Sequence, residues 1–194
     1  LVDLGDEASA AAFKRVWPIR KFPVLRNQTA DLMLPETSII IEYLDQHFPG
    51  GTRFIPEDRE LALHSRLWDR FYDQYVAPPV TRIVTDEFRP DGEKDRIGDA
   101  DAKAMLQTAY GLIEEEMRDK NWSIGETFSL ADCAAGPALF YANLVMPFQE
   151  THPKTVAYLG RLMRRPSLSR AIEEAKPYRK LLPLPETWNQ SWVP

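Results

Sequence analysis

Pro35-Glu36-Thr37, in a sequence of 194 residues, joins side-chain types and a position that could do chemistry. The triplet opens a helix, and a helix start leaves amides unpaired that bind carboxylates. Taken alone, an acid and a hydroxyl at such a point cap the helix and offset its dipole. Lys21-Phe22-Pro23 is a second cluster. Its plain reading is a solvated charge followed by a trans proline at a strand edge. Trp68, Phe71, Tyr72 and Tyr75 recur along one helix face, a spacing more common in bundle core than in the wall of a substrate pocket. The single cysteine, Cys133, forms neither an internal disulfide nor a cysteine zinc cage, and reads as a small buried apolar side chain. His47, His64 and His152 are scattered without metal-ligand spacing, so no metal is expected.

Composition narrows the partners. Residues of the hydrophobic class make up 44% and charged ones 27%, which argues against a disordered or collagen-like chain. Twenty-four Lys and Arg stand against 29 Asp and Glu, with no basic block, so nucleic acid is not an expected partner. No apolar run reaches the roughly 18 residues of a membrane span. With one cysteine and no visible signal peptide, a cytoplasmic location is expected. Asn27-Gln28-Thr29 and Asn189-Gln190-Ser191 match a glycosylation pattern by chance on this reading.

The elements that must position these residues fall into two parts. Residues 1–47 mix short strands and helices, 48–56 carry the Pro and Gly of a linker, and 57–194 read as nearly all helix. Leu1-Val2-Asp3-Leu4 reads as the tail of a strand, and 6–16 as a short Ala-rich helix stopped by Trp17-Pro18. Two apolar pieces, 22–25 and 32–34, flank a polar hairpin connection at 26–31. A helix follows Thr37. In the second part Pro78-Pro79 should bend or interrupt the first helix, and 89–101 should be a polar connection. The next helix should carry Met105, Ala109, Leu112, Ile113 and Met117. Ser129 and Asp132 form a capping box at the start of another helix, with Phe128 and Cys133 as its staple. Asp132 is therefore a structural cap rather than a catalytic acid.

Three of these segments together carry a resemblance. Lys21-Phe22-Pro23-Val24-Leu25 is similar to the loop and strand around a cis-proline in a thioredoxin-like domain. Leu34-Pro35-Glu36-Thr37-Ser38-Ile39-Ile40-Ile41-Glu42-Tyr43-Leu44 is similar to a Glu-Ser motif and its helix, and Phe128-Ser129-Leu130-Ala131-Asp132 to the capping box of a helical domain. In this order and separation they resemble the glutathione S-transferase superfamily over almost the whole chain. The fold so implied is α+β: an incomplete thioredoxin-like domain followed by an all-α bundle.

The resemblance also implies a chemistry. Glutathione would be the co-substrate, its γ-glutamyl carboxylate on the helix start with Thr37 and its ammonium on Glu36. A cis Pro23 would leave the Phe22 backbone free to pair with the strand-like tripeptide. Lys21 would meet the glycyl carboxylate. Tyr72 and Tyr75 would line the pocket for a small electrophile, which a glutathione thiolate attacks in a transferase reaction. The residue acting on the sulfur is expected upstream of Leu1, so no catalytic residue is named. A homodimer through helices 38–47 and 57–75 is expected. Two departures stand out. Thr37 replaces the commoner Ser, and Arg20 stands where many members have Gly before the Lys, which favours the alternative of a non-catalytic interaction module on the same fold.

Overall fold

Asp6 opens the first helix, α1 (Glu7–Val16), by accepting the Ser9 amide at 2.8 Å. Glu7 lies at its positive end and Lys14 and Arg15 at its negative end, as the helix dipole favours. The computed structural model describes residues 3–181. Leu1 and Val2 of the expected strand tail lie outside that range, and Asp3 and Leu4 are in no strand. Asn189 and the end of the 57–194 segment also lie outside the described residues. The chain divides into two compact units, one reaching Phe54 and the other starting at Ile55.

In the first unit, β1 (Val24–Asn27) and β2 (Leu32–Pro35) form an antiparallel hairpin that leads into α2 (Thr37–His47). The register runs from Val24 opposite Pro35 to Asn27 opposite Leu32. Arg26 and Asn27, expected in the connection, are thus strand residues, and the connection shrinks to 28–31. Asn27 explains the difference. Its Oδ1 accepts the Ala30 amide at 3.1 Å, closing the turn, and its Nδ2 donates to the Tyr43 hydroxyl on α2 at 2.8 Å. Farther along α2, the buried Asp45 accepts the Phe54 amide at 3.0 Å and faces Arg53 at 3.7 Å. These bonds fix α2 to the hairpin and to the end of the unit.

The second unit is helical. Its helices are α3 (Arg59–Phe71), α4 (Ala77–Glu87), α5 (Arg96–Glu116), α6 (Leu130–Val145), α7 (Pro153–Arg164) and α8 (Pro166–Ala175). Among the described residues it holds no sheet, only an isolated bridge between Trp122 and Gly125. A π turn, Tyr72–Val76, joins α3 to α4, and the Ala77 amide reaches the Tyr72 carbonyl. Pro78 and Pro79 cannot donate into the preceding turn, and the helical path widens just before them instead of breaking.

Helix α5 starts earlier than the polar run 89–101 suggested. Asp95 caps it by accepting the Gly98 amide at 2.9 Å, while its own amide is held by Asp86 at 2.8 Å. Its buried face carries Leu106, Ala109, Tyr110, Ile113 and Met117; Met105 and Leu112 are exposed. Leu106 and Ile113, with Leu139 of α6 and Leu162 of α7, are almost fully buried in one cluster. Each such burial contributes roughly 1.5–3 kcal/mol.

Candidate functional site

The hairpin register places the two candidate clusters at one end of the sheet. Val24 pairs with Pro35, so Pro23 and Glu36 continue the same ladder position, with Lys21-Phe22 and Thr37 next to them in the chain. All five, Lys21, Phe22, Pro23, Glu36 and Thr37, are exposed. The Phe22–Pro23 peptide bond is cis. Phe22 is 74% exposed, and its backbone groups take no hydrogen-bond partner among the described residues. An extended peptide is the kind of ligand that such an edge can pair with.

Glu36 has φ 71° and ψ 118°, in the half of backbone space that favours glycine. Its carbonyl accepts the Ile40 amide at 3.0 Å, which starts α2, but its carboxylate does not cap the helix. A non-glycine residue held this way costs about 1–3 kcal/mol, and such outliers gather at ligand-binding positions. The arrangement offers a carboxylate and a helix start side by side: one suits an ammonium, the other a carboxylate. Arg20 also has positive φ, 63°, in a tight turn where its amide donates to the Trp17 carbonyl at 2.9 Å.

In the helical unit the aromatic stripe divides. Tyr72 is 1% exposed, packed on Trp68 and Phe71, and burial with the nearby Asp132 charge raises its phenol above the ordinary range. It is a core residue and offers no surface to a substrate. Tyr75 is 49% exposed beside Phe71, at 5.4 Å between ring centroids. Burial, then the Asp132 charge, pushes the Cys133 thiol up to about 12, so it stays protonated at neutral pH. Asp132 is fully engaged. It accepts the Ser129 amide at 2.7 Å, the Ser129 hydroxyl at 3.0 Å, the Ser123 amide at 2.8 Å and the Tyr158 hydroxyl at 2.5 Å. Among the described residues no group of three or more His, Cys, Asp or Glu is placed to hold a metal ion.

Comparison with known proteins decides the family. Residues 71–166 match the model for the glutathione S-transferase C-terminal domain. A structure of a glutathione S-transferase from Methylobacillus flagellatus, with glutathione bound, superposes with a TM-score of 0.77 at 26% identity. That match covers 88% of this chain and 83% of the other. The chain belongs to the glutathione S-transferase superfamily.

Among curated relatives of this superfamily, a probable glutathione S-transferase of Nicotiana tabacum is 30% identical over 125 residues, 64% of this chain and 51% of its own length. Glutathione S-transferase U25 of Arabidopsis thaliana is 25% identical over 169 residues, 84% of this chain and 72% of its own. The chain thus spans about half the length of the tobacco relative. The fold is the superfamily's, an α+β thioredoxin-like part followed by a helical domain.

Asn27 and Asp45, which hold the hairpin and α2 in place, carry no functional motif in the sequence. Asn27 ends β1 and closes the turn, a position at which Asn is itself a turn signal. The bonds of Asp45 to Phe54 and Arg53 had no spacing signature.

Proposed function

We propose that the chain binds glutathione through Lys21, Phe22, Pro23, Glu36 and Thr37 and serves a transferase reaction on a small electrophile. The observation that carries this reading is Glu36. Its carboxylate is exposed and leaves α2 uncapped, on a backbone with positive φ, at the same ladder end as the exposed Phe22 backbone. Glutathione offers a complementary set: an ammonium beside a carboxylate at one end, an extended backbone in the middle and a second carboxylate for Lys21. A structural relative at 26% identity carries glutathione, which supports the ligand class. Tyr75 is the candidate contact for the electrophile, being exposed where Tyr72 is buried. The reaction would use a thiolate, whose formation is limited in water by a thiol pKa of about 8.5.

A homodimer and a cytoplasmic location belong to the same proposal. Helix α2 exposes Ile39 and Leu44, and α3 exposes Leu63 and Leu67, apolar surface that a second copy would cover. Among the described residues no helix is long and apolar enough to cross a membrane. A dimeric mass by light scattering at micromolar concentration is expected, and a monomeric mass would overturn this part.

Retention on glutathione-agarose tests the main reading. The expected result is retention, release by free glutathione, and thiol consumption when an activated halonitrobenzene is added. Arg20, a bulky cation at the rim in place of the usual Gly, favours the second reading, a non-catalytic interaction module. Passage through the column without retention would support that module and overturn the glutathione site.

A further inference from the structure

Between the second half of α6 and α7, inside the helical unit, lies a cavity of about 540 Å³. Phe140 and Leu144 of α6 face Val156, Leu159 and Met163 of α7 across it. A space of this size and lining is of the kind that takes up a small organic molecule. None of its lining residues belongs to the glutathione site proposed above.

Gly160 is the first sign that the cavity is built rather than left over. It sits inside α7, where glycine weakens a helix relative to alanine. A Cβ added there would meet, among the described residues, only Nη1 of Arg164, at an ordinary 3.4 Å. Close packing therefore does not require the glycine. Gly160 lines the cavity, and its missing side chain leaves the α7 wall open at that point.

Asn143, Gln149, Arg161 and Arg164 are the polar residues of the lining, and two of them, Arg164 and Asn143, give the cavity its chemistry. Arg164 is exposed, lies with its guanidinium by Gly160, and makes no ion pair among the described residues. Its neighbour Arg161 is engaged with the Asn121 and Lys120 carbonyls. On the α6 wall Asn143 also lines the cavity, and its buried Oδ1 has no hydrogen-bond partner among the described residues. A buried acceptor without a donor is unfavourable, and turning this amide toward a ligand hydroxyl removes the penalty. A guanidinium at the rim selects a planar carboxylate, which it can hold through two parallel bonds. The apolar walls exclude a strongly hydrated dianion such as phosphate. A rigid ring gives up less conformational freedom on binding than an alkyl chain.

We propose that this cavity binds a small aromatic hydroxy acid, with its ring between α6 and α7, its carboxylate on Arg164 and its hydroxyl donating to Asn143. Calorimetric titration of the full chain with 6-hydroxy-2-naphthoate tests it. One site per chain is expected, with 2-naphthoate and the methyl ester of the probe each bound about tenfold more weakly. Arg164→Gln should weaken the probe by about tenfold and remove the preference for acid over ester. Gly160→Leu should abolish binding by placing a side chain on the α7 wall of the cavity, and Asn143→Leu should make the two naphthoates bind equally. Arg164→Gln changes an exposed side chain, so it tests the site even if Gly160→Leu does not fold. Unchanged affinity in Arg164→Gln, or no binding of the probe to the unaltered chain, would overturn the proposal. Retention on glutathione-agarose should be the same for Arg164→Gln and the unaltered chain, which keeps this test separate from that of the glutathione site.

Discussion

The Tyr158 hydroxyl donates to Oδ1 of Asp132 at 2.5 Å, tying α7 to the first turn of α6. Ser123 stands between them in the same network, its hydroxyl 2.8 Å from that of Tyr158 and its amide donating to the same carboxylate oxygen. The capping box is therefore more than a local helix start. It gathers a loop and two helices onto one buried carboxylate.

Removing that carboxylate should be costly. Asp132→Ala strands the buried Ser123 and Ser129 amides, each at about 1–3 kcal/mol, for an expected loss of about 2–6 kcal/mol. Tyr158→Phe removes one of the donors and leaves the others, so about 1–2 kcal/mol is expected. Urea unfolding of both variants measures the difference. A larger loss from Tyr158→Phe than from Asp132→Ala would show that the carboxylate is not the hub.

Glu114 of α5 does a similar job for α7, from outside that helix. Its carboxylate accepts the Lys154 amide at 2.9 Å, the Thr155 amide at 2.8 Å and the Thr155 hydroxyl at 2.9 Å. Burial works to raise its pKa, but these donors outweigh it and hold the carboxyl below its ordinary value of 4.5. A depressed carboxyl contributes stability above its unfolded pKa and loses that contribution as pH falls through the folded one. Glu114→Gln should therefore be less stable at pH 7 by about 0.5–1 kcal/mol, the lower part of the capping range because solvent reaches the pair. The gap from the unaltered chain should close below about pH 4.5. A gap that stays constant down to low pH would refute the charged cap.

Arg20 holds a backbone that glycine would also suit. Its φ of 63° lies in the region that glycine occupies without steric penalty. Arg20→Gly should relieve about 1–2 kcal/mol of left-handed strain, offset by glycine's greater freedom when unfolded, for a net gain of about 0.5–1 kcal/mol. Thermal melting decides the sign. A lower melting temperature would mean that the arginine side chain stabilises the turn by more than its backbone costs.

What was legible in the sequence was local. Pro23, Glu36-Thr37 and Ser129-Asp132 announce themselves because proline geometry, helix starts and capping boxes act over a few residues. Met105 stands next to Leu106 and Leu112 next to Ile113; an apolar pair fits either of two adjacent helical phases, and packing buries the second member of each. Tyr158 could not be linked to Asp132, because a hydrogen bond between two helices leaves no spacing in the chain. The positive φ of Glu36 was equally hidden, since glutamate is not a residue that signals it.

The proposed glutathione site turns on whether Glu36 acts on the ligand or on the helix. Its side chain makes no capping bond, so its removal should leave α2 nearly unchanged. If its carboxylate holds the ligand's ammonium, Glu36→Ala removes a charge-assisted hydrogen bond of roughly 1.5–3 kcal/mol, a ten- to hundredfold loss of glutathione affinity. Thr37→Ala should cost less, about fivefold, because the amides of the helix start still face the ligand carboxylate. A residue that only offsets the dipole would instead lower stability by about 0.3–1 kcal/mol and leave affinity alone. Calorimetric titration with glutathione, with melting curves of the same samples, separates the two. Unchanged affinity in Glu36→Ala would remove Glu36 from the site. A greater loss from Thr37→Ala than from Glu36→Ala would move the main contact from the ammonium to the carboxylate end.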